Sequence, residues 1–216
     1  ACRCDVCLSL FRERHGSDMP SDFTPEVRAF RESSLLELLT EACRHGHEKG
    51  LRNALCLLPA DLAACGFPQQ QERLARALER RLAQAPQGAL EAMLHFGVGD
   101  FEAAAAIPDL DIFGCDPYWY LFGTDPETFM RVYSEEAAAA SRTHNRGLQL
   151  WVQAFSVPAG REDELRTGLR VASEVGATHV AAWSYEATAS MSQIACPRAD
   201  IAWNILGEEF RRLRDA

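Results

Sequence analysis

The feature that most constrains this chain is a hydrophobic period that switches back and forth along its length. Four short, almost continuous apolar runs lie at 51–58, 110–115, 148–155 and 178–183. Runs of that length without polar alternation predict strands buried on both faces. Each is followed by a stretch with helical spacing: 69–85, 126–146, 161–175 and 200–214. A further helix precedes the first run, with Thr24 as its N-cap, Pro25 at the first helical position and Gly50 as its stop. Residues 86–109 read as short helical pieces around Gly97-Val98-Gly99. Strand–helix alternation of this kind predicts a parallel sheet covered by helices.

Doubly wound and closed-barrel folds share that alternation. No Gly-x-Gly-x-x-Gly follows any run and no Walker sequence is present, so nucleotide-binding folds lose their main support. A (β/α)8 barrel takes about 250 residues and eight units. Four units in 216 residues therefore read as the C-terminal half of a TIM barrel, an α/β fold. In this division residues 23–216 form the partial barrel and residues 1–22 a cysteine-containing loop.

Charge narrows the partners. Lys and Arg total 22 against 31 acidic residues, a net charge of −9, and no basic run offsets it locally. Such a surface repels nucleic acid and anionic membranes. No stretch approaches the roughly 18 apolar residues a membrane helix needs. Of eight cysteines, five stand singly, at 43, 56, 65, 115 and 196, as small apolar residues do in a reducing compartment. With no leader-like start, the expectation is a cytoplasmic protein. Ala1 in place of an initiator Met gives the expectation of a chain cut from a longer one.

Barrel enzymes build their sites at the carboxyl ends of the strands. Past the first run stands Pro59-Ala60-Asp61. Past the second stands Asp116-Pro117-Tyr118-Trp119-Tyr120. The third run carries Trp151, Gln153 and Phe155 on one face, and the fourth ends in Trp183-Ser184-Tyr185-Glu186. Aromatic rings stack on the apolar faces of sugars, while carboxylates and amides bind hydroxyls. Tyr118, Trp119, Trp151, Gln153, Trp183 and Tyr185 are therefore the expected carbohydrate-binding set, with Asp116 and Glu186 the catalytic candidates. The plainer alternative is that these rings pack between strands and loops. His179 falls mid-strand, and His45 and His47 sit near a helix end; all three read as structural or surface residues.

The remaining cluster is Cys2-x-Cys4-x-x-Cys7. Three thiolates this close suit a structural Zn²⁺ that lacks its fourth ligand, since no further Cys or His stands at short spacing and His15 is a makeshift choice. The competing reading is coincidence.

These residues resemble the middle and C-terminal part of clan A glycoside hydrolases, nearest the family 42 β-galactosidase type. The likeness is carried by Cys2, Cys4 and Cys7, then Phe11 and the Phe30-Arg31-x-Ser33 stretch. Further on it is carried by Pro158-Ala159-Gly160-Arg161 and by Val171-Ala172 to Gly176-Ala177. The resemblance implies that the three cysteines join one earlier cysteine around a structural zinc. It also places the acid/base glutamate upstream of Ala1 and a nucleophile glutamate on the strand of Trp151. That strand offers Gln153 and no carboxylate, and a glutamine cannot form the covalent glycosyl intermediate of a retaining mechanism. The expectation is thus a glycoside-hydrolase-like protein, inactive as this fragment, that associates with a missing N-terminal half or a second copy. The alternatives are a non-catalytic carbohydrate-binding barrel and an α/β domain of unrelated function.

Overall fold

The computed structural model describes residues 2–59, 62–63, 65–81, 97–191 and 193–215. Helix α1 (Asp5–His15) starts at Cys4 and stops at Gly16, which takes the left-handed conformation at φ 69°. A helix thus occupies half of residues 1–22, the segment expected as a loop. Phe11 on α1 packs edge-on against Phe30 of α2 (Pro25–Glu48), with ring centres 5.3 Å apart. Thr24 caps α2 as expected, accepting from the Val27 amide at 3.4 Å. Phe11, Met19, Val27 and Phe30 form a small apolar cluster, while Cys43 and Leu39 further along α2 join the main core.

Four parallel strands follow, β1 (Ala54–Leu57), β2 (Ile112–Cys115), β3 (Gly147–Gln153) and β4 (His179–Trp183), in the spatial order β1-β2-β3-β4. Helices α3 (Pro68–Arg81) and α4 (Phe101–Ala105) lie between β1 and β2; α5 (Trp119–Phe122) and α6 (Pro126–Thr143) lie between β2 and β3. Helix α7 (Glu164–Glu174) joins β3 to β4, and α8 (Ala199–Asp215) closes the chain. The protein is thus a mixed α/β fold built on a parallel four-stranded sheet, as the alternation predicts. Among the described residues no helix is long and apolar enough to cross a membrane. The expected helix over 82–85, the pieces over 86–96, and Ala60 and Asp61 lie outside the described residues.

One face of the sheet makes the core. Phe113, Cys115, Leu148, Leu150 and Val152 are buried with Phe129, Met130 and Tyr133 of α6 and Leu165 and Leu169 of α7. Burying side chains of this size contributes about 1.5–3 kcal/mol each. Strand β3 alternates in burial, the helix-facing positions enclosed and Gln149 and Trp151 half-buried on the opposite face.

The strands are shorter than their apolar runs. Asn53 ends β1 on its N-terminal side: its side chain donates to the carbonyls of Cys43 (2.8 Å) and Asp109 (2.7 Å), tying the end of α2 to the approach to β2. Strand β3 stops at Gln153, and Ser156 then turns with φ 50°. Helix α6 stops at Thr143, and the Arg146 side chain binds the carbonyls of Ala105 and Ile107, both at 3.0 Å.

At the centre of the sheet Gly114 sits between Cys56 on β1 and Gln149 on β3. A Cβ added there would lie 2.2 Å from the Gln149 carbonyl oxygen, a backbone atom that moves only with its strand. Gly114→Ala is expected to lower stability by about 3 kcal/mol, the upper end for overpacking. Urea unfolding followed by circular dichroism checks this.

Candidate functional site

The face of the sheet away from α6 and α7 carries a cleft of ≈ 340 Å³ at the carboxyl ends of the strands, lined by Cys56, Asp116, Tyr118, Trp151, Phe155 and Trp183. Strand alternation explains the set. Cys115 points into the helical core, so Asp116 turns to the opposite face. The Asp116 amide continues the β1–β2 ladder to the Leu57 carbonyl at 3.3 Å, which holds the residue at the strand end. Glycine at 114 lets β2 and β3 approach closely beneath the cleft, in the row Cys56–Gly114–Gln149.

The walls are aromatic. Tyr118 stands edge-on to Phe155 with ring centres 5.1 Å apart, and Phe155 stands edge-on to Trp183 at 5.2 Å. Trp151 is held by its indole N–H, which donates to the Gln149 side-chain oxygen at 2.9 Å. Trp183 keeps 39% of its surface open, and the Trp183–Ser184 peptide bond is cis.

Asp116 is the cleft's acidic group. Burial pushes its carboxyl up to about 7, against the smaller opposing effect of the Tyr118 hydroxyl, which hydrogen-bonds it. Its Oδ1 is buried with no hydrogen-bond partner among the described residues. The Tyr118 phenol is raised above its usual value, first by burial and then by the Asp116 charge, so it stays neutral and donates. Burial, then the same charge, pushes the Cys56 thiol up, although part of that residue faces solvent. The cleft therefore presents two neutral donors beside a carboxyl poised between its two forms at neutral pH.

The structure gathers Asp116, Tyr118, Trp151 and Trp183 and takes the other expected residues elsewhere. Trp119 is fully enclosed, with its ring against Gly168 of α7 and its indole N–H on Glu164 at 3.0 Å. Gln153 is also fully enclosed: it accepts from the Leu121 amide at 3.2 Å and donates to the Phe155 carbonyl at 2.9 Å. Neither has a free polar atom or open ring face for a ligand. Tyr185, 74% exposed, stands edge-on to Trp203 of α8 and does not line the cleft. Glu186 is exposed on the adjoining turn, with φ 48°, and also lies off the lining. Phe155 and Cys56 complete the cleft. Phe155 shares its parity with Trp151, and Cys56 occupies the β1 position beside Gly114.

At the other site, the Cys2, Cys4 and Cys7 sulphurs all lie within 4.8 Å of one another. The Cys7 backbone N–H, then the Cys2 and Cys7 thiols, lower Cys4 below the usual thiol value, though no side-chain capping bond forms. Cys7 is pushed up to about 11, first by its hydrogen bonds with Cys2 and Cys4. Tetrahedral zinc with Zn–S bonds of about 2.3 Å holds sulphurs roughly 3.8 Å apart, so the cluster suits that ion. His15 is not its fourth ligand, since it stacks on Phe11 at 4.3 Å at the far end of α1.

These two sites and the parallel sheet define the molecule's class: an α/β protein with an aromatic-walled, carboxyl-bearing cleft at its strand ends. No family model matches the chain, and no curated protein matches it. Among solved structures it is similar to the endo-beta-1,4-mannanase from Thermotoga petrophila, with 12% identity and a TM-score of 0.33. That match covers 82% of this chain and 45% of the mannanase, so the chain spans less than half of that neighbour's length. A likeness of that depth assigns neither a family nor an activity, and the cleft's own residues must carry any functional reading.

The raised carboxyl has a thermodynamic consequence. An acid whose folded value lies above its unfolded value binds its proton more tightly in the native state. The contribution of Asp116 to stability therefore falls as pH rises from about 4 towards about 7 and levels off above that. Asp116→Asn is expected to remove this component, so that the variant gains most on the native protein at pH 7–8. Thermal melts at a series of pH values check it.

Proposed function

We propose that the cleft binds a carbohydrate and that the chain is a segment of a (β/α)8 barrel of the clan A glycoside-hydrolase kind. The observation that carries the reading is the cleft itself: four aromatic walls around one desolvated carboxyl at the strands' carboxyl ends. Trp183 and Trp151 supply ring faces for the C–H surfaces of a sugar, while Asp116 and Tyr118 supply polar atoms for its hydroxyls. The consecutive strand order favours the barrel, because a doubly wound sheet reverses direction at a switch point and this sheet does not. In such a barrel the open face of β1–β4 is interior, covered by further strand–helix units from the same polypeptide or a companion one.

For chemistry, Asp116 is assigned the general acid, since a carboxyl raised to about 7 still carries its proton in a large share of molecules at neutral pH and can give it to a departing glycosidic oxygen. Hydrolysis takes a second carboxylate, and the described lining contains none. It would come from a residue outside this described lining. A second reading, binding without hydrolysis, is favoured by Gln153, whose enclosed amide stands where β3 would present a nucleophile.

Tryptophan fluorescence titrated with a panel of mono- and oligosaccharides tests the cleft. At least one sugar is expected to shift the emission with affinity on the order of millimolar, about −4 kcal/mol. Trp183→Ala is expected to weaken that binding at least tenfold, and emission unmoved by the whole panel overturns the reading. Hydrolysis of chromogenic glycosides by the natural protein, lost in Asp116→Asn, separates enzyme from binder.

The cysteine cluster is assigned as three ligands of a structural zinc, completed by a ligand from outside the described residues, which offer no fourth at the cluster. The metal would pin the start of α1 to that distant segment. The purified native protein is expected to carry one zinc per chain by elemental analysis and to lose it in Cys7→Ser. A metal content unchanged by that substitution removes the assignment.

A further inference from the structure

The same cluster has a second chemistry. In Cys4-Asp5-Val6-Cys7, Cys4 is the residue that begins α1 and Cys7 lies one helical turn on, so both side chains fall on the same side of the helix start. Their sulphurs are within 4.8 Å, and both have solvent access, Cys4 being exposed and Cys7 half-buried. A disulfide needs Cα atoms about 4.4–6.8 Å apart; Cys4 is the extended N-cap and Cys7 stands in the first turn, so the bridge would close across one helix start. The Leu8 amide bonds the Cys4 carbonyl at 3.0 Å, and rotation of the two side chains leaves that bond in place. Cys43, Cys115 and Cys196, by contrast, are buried.

We propose that, when free of metal, Cys4 and Cys7 form a redox-active dithiol that closes reversibly by exchange with a low-molecular-weight disulfide. The Cys4 thiolate attacks one sulphur of the small disulfide, forming a mixed disulfide and releasing one small thiolate. The Cys7 sulphur, giving its proton to solvent, then attacks the Cys4 sulphur and expels the second small thiolate. The two cysteines lose two electrons and the small disulfide gains them. Zinc and the disulfide exclude each other, because both use the same sulphur electron pairs. Oxidation would therefore release the metal and untie α1 from whatever the metal holds.

The test uses the chelator-treated chain in buffers of increasing oxidised-to-reduced glutathione ratio, with thiols trapped by maleimide. Cleavage after Arg3 and Arg12 places Cys4 and Cys7 in one peptide. Two of the eight thiols are expected to disappear together, with that peptide lighter by about 2 Da, the mass of two hydrogens, and dithiothreitol restoring both. Cys4→Ser and Cys7→Ser should each abolish the loss, while Cys2→Ser keeps it. Serine remains a good helix N-cap at position 4, so the variant is not expected to unfold. Stable glutathione adducts without ring closure, a bridge mapped to Cys2, or an unchanged thiol count at the oxidising end would each overturn the proposal. Neither cysteine lines the cleft, so the outcome does not bear on the carbohydrate reading.

Discussion

A parallel strand cannot leave one face bare without cost, because its side chains are apolar on both sides, and the architecture here follows from how that requirement is met. One face of β1–β4 is closed by α6 and α7 through Phe129, Met130, Leu165 and Leu169 against Phe113, Leu148, Leu150 and Val152. The helices are also laced by ion pairs. Arg131 and Arg170 bridge Glu127 on α6 and Glu174 on α7, and Arg166 on α7 reaches Glu208 and Glu209 on α8. Most of these groups are half-exposed, where a pair contributes about 0–1 kcal/mol. A single buried leucine contributes more, so burial decides which layer forms and the ion pairs decide how the helices line up within it.

The other face is where burial stops short, and the chemistry sits there. Desolvation that would be ruinous for a fully enclosed carboxylate is moderate at Asp116, because the cleft leaves it partly open. The result is an acid pushed up to about 7, with Tyr118 holding one side and nothing described holding Oδ1. Contrast Glu162, a carboxylate whose side chain is only 4% exposed. Burial pushes it up too, but the Arg198 guanidinium and the Gly160 amide reverse the sign and leave it below the usual carboxylate range. Glu162 is satisfied and structural; Asp116 is unsatisfied and available.

Much of this was legible in the residues. Four apolar runs became four parallel strands, and Thr24, Gly50 and the helical spacings placed the helices to within a few positions. Its place past a strand end marked Asp116, parity grouped Trp151 with Phe155, and all three line the cleft. What parity does not carry is the local polar accounting. Gln153 has the parity of Trp151, yet the Leu121 amide and the Phe155 carbonyl claim both ends of its side chain. Trp119 follows a strand end like any rim aromatic, yet Gly168 on a helix 49 positions later makes room for its ring. Cys56 read as a small apolar residue because its run is apolar, yet it is exposed and borders the cleft beside Asp116 and Tyr118. In each case at least one deciding partner is distant in sequence, and hydrophobic period contains no term for it.

That same distinction separates the two sites as arguments. The cysteine cluster is local: six residues and one helix start bring its sulphurs together, so its geometry survives whatever else the chain joins. The cleft is non-local: it draws one wall or floor group from β1, others from the ends of β2 and β3, and Trp183 from β4. Its shape depends on every ladder in the sheet and on what lies over the open face. A ligand in the cleft would bridge three strand connections and stabilise their mutual register, so binding energy and sheet integrity are coupled there. The cysteines report only on the start of α1. Perturbing Gly114 should therefore damage the cleft while leaving the cysteine chemistry intact, because among the described residues the two belong to separate apolar clusters.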